Sequence, residues 1–127
     1  CDVDQQGVSI GVSERSAYDL WLSDNFKSAK IIRAPSIQAS HALFWDNKVD
    51  VLASLKPKLI EEIDNREGVR LIEKPFTAVK QAIGLPKGSQ NSVAYINQVI
   101  RSSIQEGWLL DRLNYHGMAS RLGIPLY

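Results

Sequence analysis

Short β-prone runs alternate with amphipathic stretches along most of this chain, and this pattern constrains the fold more than any other feature. Strands separated by helix-length segments are expected to lie parallel in one sheet. The runs are residues 8–12, 29–33, 49–53 and 69–72, with a fifth candidate at 81–85. They predict an α/β fold, a three-layer α/β/α sandwich around a mostly parallel five-stranded sheet. From residue 86 onward the pattern turns helical. The expected division is therefore an α/β lobe over residues 1–85 and a C-terminal helical segment over 86–127.

Local signals place the helices. Ser16 is suited to cap a helix running from about Ala17 to Phe26, with Asp19 supporting the same first turn and Leu20 and Trp21 expected inward. Ala34-Pro35 ends the second run, because proline biases the residue before it away from helical geometry. Ser36 then caps a second helix, in which Ile37, Ala39, Ala42, Leu43 and Phe44 make the expected buried face. Pro57, in the favoured first turn, opens a third helix with Leu59, Ile60 and Ile63 inward and Glu61, Glu62 and Asp64 outward. The spacing of Val93, Ile96, Val99, Ile100 and Ile104 predicts a long helix from Asn91 to about Glu106, and Gly107 separates it from a shorter one around Trp108 to His116.

Composition narrows the partners. Fifteen Lys and Arg against fourteen Asp and Glu give a net charge of +1, with no basic run able to track a phosphate backbone, so no nucleic-acid partner is expected. The longest apolar run, Ala42-Leu43-Phe44-Trp45, falls far short of the roughly 18 to 20 residues that cross a bilayer. The chain starts without the basic and apolar segments of a secretory signal. Cys1 is the only cysteine; it excludes an intrachain disulfide and reads as an arbitrary cut rather than as the start of a lipoprotein.

Constellations that carry catalysis or cofactors are sparse. His41 and His116 have no Cys or His at the short spacing of a zinc site, and both read as structural or solvated; no metal is expected. Glu61, Glu62 and Asp64 read as a solvated helix face. Gly7 and Gly11 fall short of a dinucleotide fingerprint, and no cofactor is expected. What remains is geometric. In a parallel sheet the loops leaving the carboxyl ends of the strands share one rim, where ligands bind. The candidate ligand-binding residues are accordingly Ser13, Glu14, Arg15, Ser16 and Ala17 after the first run, Ser36 after the second, and Ser54, Leu55 and Lys56 after the third. The first loop opens a helix whose unpaired N–H groups suit an anionic group, and Arg15 reinforces that preference.

The order Gly7-Val8-Ser9-Ile10-Gly11-Val12, then Ser16-Ala17-Tyr18-Asp19, then Ala29-Lys30-Ile31-Ile32-Arg33-Ala34-Pro35-Ser36, then Lys48-Val49-Asp50-Val51-Leu52-Ala53 resembles the second half of the family 3 extracellular solute-binding proteins. The likeness continues through Phe76-Thr77 and Ala82-Ile83-Gly84-Leu85-Pro86-Lys87-Gly88 and covers nearly the whole chain. It implies the second lobe of a type II periplasmic binding fold, with the helices after residue 86 normally packed on a first lobe. It further implies a periplasmic or extracellular, membrane-anchored setting, a small-molecule solute and the membrane permease of an ABC importer as partners, and recognition without enzymatic turnover. Without a first lobe, residues 91–127 are expected to fold back, to swap with a second copy, or to be disordered.

Two departures bear on the ligand. Amino-acid-binding members have Gly, Ser and Thr in the first loop where this chain has Arg15, Ser16 and Ala17. Many carry Asp two residues before the proline, where this chain has Leu55, and a ligand ammonium would lack that partner. A small polar or anionic solute is the resulting expectation. The rivals are the sensing domain of a receptor kinase and a dehydratase-like enzyme on the same fold, for which Glu14 is the residue placed to supply a carboxylate.

Overall fold

The computed structural model describes residues 3–64 and 66–125, so Cys1, on which the lipoprotein reading rests, lies outside them. The chain divides into two compact units, Cys1–Val79 and Lys80–Tyr127. In the first, β1 (Ser9–Ser13), α1 (Ala17–Asn25), β2 (Lys30–Ala34), α2 (Ile37–Trp45), β3 (Val51–Leu52) and α3 (Lys56–Ile63) follow one another. The second holds α4 (Gln90–Gln105) and α5 (Trp108–Tyr115).

All three strands are parallel and lie in the order β2-β1-β3. The register pairs Ser13 with Ala34 and Gly11 with Leu52, which brings the carboxyl ends of all three strands to one edge. Side chains alternate across a strand. Ile10 and Val12 therefore share a face, and on it they form the core with Tyr18 and Leu22 of α1 and with Ala53. Gly11 points the other way, toward Val49 and the backbone of Ser40 in α2. The bare backbone at Gly11 is what lets the Val49 side chain come this close, and Ser40 is fully buried beside it.

The caps act locally and form as expected. Ser16 Oγ accepts a hydrogen bond from the Asp19 N–H at 3.1 Å, and Ser36 Oγ accepts from Ala39 N–H at the same distance. Pro57 sits in the first turn of α3. Gly107, at φ +78°, separates α4 from α5 in a left-handed conformation that costs glycine nothing.

Three expectations need correction. Among the described residues, 69–72 and 81–85 are not strands, and the sheet has three strands rather than five. A β-prone run becomes a strand only when a neighbour completes its ladder, and among the described residues neither run is paired in one. Val69 and Leu71 are half-buried while Arg70 and Ile72 are exposed, which is strand-like alternation without a partner. In 81–85 only Leu85 is even half-buried, and Ile83 is 61% exposed. Leu20, expected inward, is 60% exposed, because α1 turns Tyr18 and Leu22 to the sheet and Leu20 falls on the opposite side. The buried positions of α2 are Ser40 and His41, while Ala42 is exposed. The apolar residues Leu43, Phe44 and Trp45 are only half-buried.

Candidate functional site

Because the strand order is β2-β1-β3, the chain leaves β1 to cover one face and leaves β2 to cover the other, and the two directions diverge between β1 and β3. In open parallel sheets that divergence opens a crevice at the carboxyl ends. The loop 14–16 after β1 and the loop 53–55 after β3 flank it. Glu14, Arg15 and Ser16 form the first, between Ser13 at the end of β1 and Ala17 at the start of α1, and Ser54 and Leu55 belong to the second, ahead of Lys56 at the start of α3. Ser36 follows β2, with β1 between it and β3, so it shares the rim without bordering the divergence.

The β1 loop is held from below. Its Arg15 adopts φ +59°, a left-handed conformation that residues other than glycine rarely take. Asp19, buried in α1, stabilises it by accepting the Arg15 N–H at 2.8 Å. The other oxygen of Asp19 faces Arg33 Nε at 3.0 Å, and Arg33 also donates to Ser23 Oγ at 2.7 Å. Ser16 Oγ donates to the Ser13 carbonyl at 2.7 Å while it caps the helix. Glu14 is exposed, and its N–H donates to the Ala34 carbonyl at 2.9 Å, tying the loop to β2. Arg15 is exposed. Cation and helix N-terminus together favour a negatively charged group there.

The β3 loop carries a group of residues that the sequence pattern concealed. Ser54 Oγ lies 2.9 Å from Nε2 of His41, and Nδ1 of His41 lies 2.6 Å from Oε1 of Glu62. The indole N–H of Trp45 donates to the other Glu62 oxygen, and the Arg66 guanidinium stacks over the Trp45 ring, 4.1 Å from its centroid. His41 is almost entirely buried. Partial burial pushes the Glu62 carboxyl up, but the hydrogen bonds from Trp45 and His41 outweigh it and hold that carboxyl below the usual carboxylate range. An ionised carboxylate only accepts, so Nδ1 of His41 carries a proton toward Glu62, and Nε2 is the ring nitrogen that faces the Ser54 hydroxyl.

One reading of these residues needs correction, that of Glu62, while the burial of His41 agrees with a structural role. Glu62 does not face solvent as expected for the outer side of α3; it closes on α2. His41 is engaged through both ring nitrogens. His41 and Trp45 stand four residues apart and so share a face of α2, which is the one signal that could have found them. Their partner Glu62 is 21 residues from His41, a separation no local pattern reports. Among the described residues no group of three or more His, Cys, Asp or Glu side chains is placed to hold a metal, and no helix is long and apolar enough to cross a membrane.

Comparison with known proteins gave no match to any family model, curated protein or solved structure.

Proposed function

We propose that this chain supplies one lobe of a two-lobed solute-binding protein of the kind that serves ABC importers, and that it grips a small polar or anionic solute at the carboxyl edge of its sheet. The observation that carries this reading is the parallel order β2-β1-β3, whose divergence point lies between the loops bearing Arg15 and Ser54. The strained, Asp19-braced Arg15 adds weight, because such backbone conformations concentrate where a loop must present something. Under this reading the lobe is of the type II periplasmic binding fold, and residues 69–72 and 81–85 join the sheet when a first lobe is present. The half-exposed stripe of α4, including Val93 and Val99, then packs on that lobe. The setting is periplasmic or extracellular, and the closed form engages a membrane permease.

Thermal-shift screening of the full-length protein against amino acids, organic acids and amines tests the reading. A solute at 100 times its Kd adds about 2.7 kcal/mol of apparent stability, a rise of several degrees in a domain of this size. The expected hits are carboxylates. Arg15→Gly, which tolerates the left-handed backbone, is expected to weaken that binding about tenfold or more while the protein stays folded. A panel with no hit, or hits unaffected by Arg15→Gly, would count against the site.

A further inference from the structure

The group formed by Ser54, His41 and Glu62 is not required by solute binding, and its geometry has a chemical consequence. A hydroxyl 2.9 Å from Nε2 of a neutral imidazole can pass its proton to that nitrogen. A carboxylate 2.6 Å from Nδ1 fixes the tautomer and stabilises the imidazolium that forms. Ser54 is only partly buried and stands between the end of β3 and the start of α3, a strand-turn-helix position of the kind that exposes serine nucleophiles. The intrahelical hydrogen bonds of α3 begin with the Lys58 N–H, which donates to the Leu55 carbonyl. The helix's own bonding therefore leaves over the N–H groups of Leu55 and Lys56, next in the chain to the hydroxyl, where an oxyanion would be stabilised.

We infer that Ser54, His41 and Glu62 form an acyl-transfer site that hydrolyses a small carboxylic ester. Ser54 Oγ attacks the carbonyl carbon as its proton passes to His41 Nε2. The bond to the leaving alkoxide breaks, and His41 returns the proton to that oxygen, leaving the acyl group on Ser54. Water then attacks the acyl carbon, giving its proton to Nε2. The Ser54–acyl bond breaks, the serine oxygen recovers the proton, and a carboxylic acid departs. Ser54 and His41 are the catalytic residues; Glu62 and Trp45 position the imidazole. The activity goes beyond solute binding and runs against the expectation of recognition without turnover.

The test uses the full-length protein with a fluorophosphonate probe and with p-nitrophenyl acetate. Peptide mass spectrometry is expected to find one adduct, on Ser54, that disappears when the protein is first unfolded in guanidinium chloride. Ser54→Ala, with its fold checked by circular dichroism, is expected to lower ester turnover at least about 100-fold. Glu62→Gln is expected to lower it at least about tenfold and to change the pH profile of labelling, a response that a purely structural tie would not give. No adduct on Ser54, or a Ser54→Ala variant that hydrolyses the ester as fast as the wild type, overturns the proposal. The three residues would then be a hydrogen-bonded tie between α2, α3 and the β3 loop.

Discussion

Asp19 shows how much one side chain can organise. It is 3% exposed, yet its two oxygens serve the Arg15 N–H, the Arg33 guanidinium and, more weakly, the Ser23 hydroxyl. Asp19→Ala strands the first of these donors and frees Arg15 from the contact that offsets its strained backbone. Hydrogen bonds to an ionised group contribute about 1.5 to 3 kcal/mol each, and the half-exposed Arg33 regains part of its loss from water. A net destabilisation of about 2 kcal/mol is expected from urea unfolding, with Asp19→Asn, which retains an acceptor, losing less. The capping role of Ser16 beside it was legible because the hydroxyl reaches only three residues along the chain. The pairing of Asp19 with Arg33, 14 residues away, was not, since it depends on β2 returning alongside β1.

Between elements, Gly11 of β1 packs against the Val49 side chain ahead of β3 and the backbone of Ser40 in α2. A methyl added at Gly11 would lie 3.0 Å from Val49 Cγ2 and 3.6 Å from the Ser40 carbonyl, in a region where both neighbours are buried. Gly11→Ala is expected to cost about 1 to 3 kcal/mol, the range for overpacking a filled interior, and chemical denaturation measures it. Secondary structure was readable where its determinants are local: Ser36 and Pro57 start helices, and Gly107 stops one. Residues 69–72 and 81–85 carry strand composition, but a ladder needs a second chain segment at the right place, which composition does not encode. Glu62 deceived for the same reason. Its charge suits solvent in a one-dimensional reading, and only the approach of α3 to α2 brings the Trp45 and His41 donors to it.

At the scale of the whole molecule, Asp4, Asp50 and Glu62 each join segments distant in sequence and titrate below their usual range. Asp4 is held down by the backbone N–H groups of Ala29, Lys27 and Ser28, and so ties the N-terminal segment to the turn before β2. Asp50 is held down by the Ser9 hydroxyl and N–H and ties the approach to β3 against β1. Glu62 ties α3 to α2. A folded-state pKa below the unfolded value stabilises fully above the unfolded carboxylate range, about 3.9 to 4.3, and that contribution disappears as pH falls through the folded value. The melting temperature of the Cys1–Val79 unit is therefore expected to hold from neutral pH down to about pH 5 and to fall below about pH 4. Asp50→Asn is expected to flatten that acid limb in a calorimetric pH series, and an unchanged limb would mean that Asp50 contributes nothing to it.

The brevity of β3 bears on how copies of this protein meet at high concentration. A ladder of two residues offers an incoming chain almost no backbone to extend, and the opposite flank of the sheet is interrupted by the exposed cations Lys30 and Arg33 on β2. Both open borders of the sheet thus discourage strand-to-strand stacking between molecules, the usual route by which small parallel sheets aggregate.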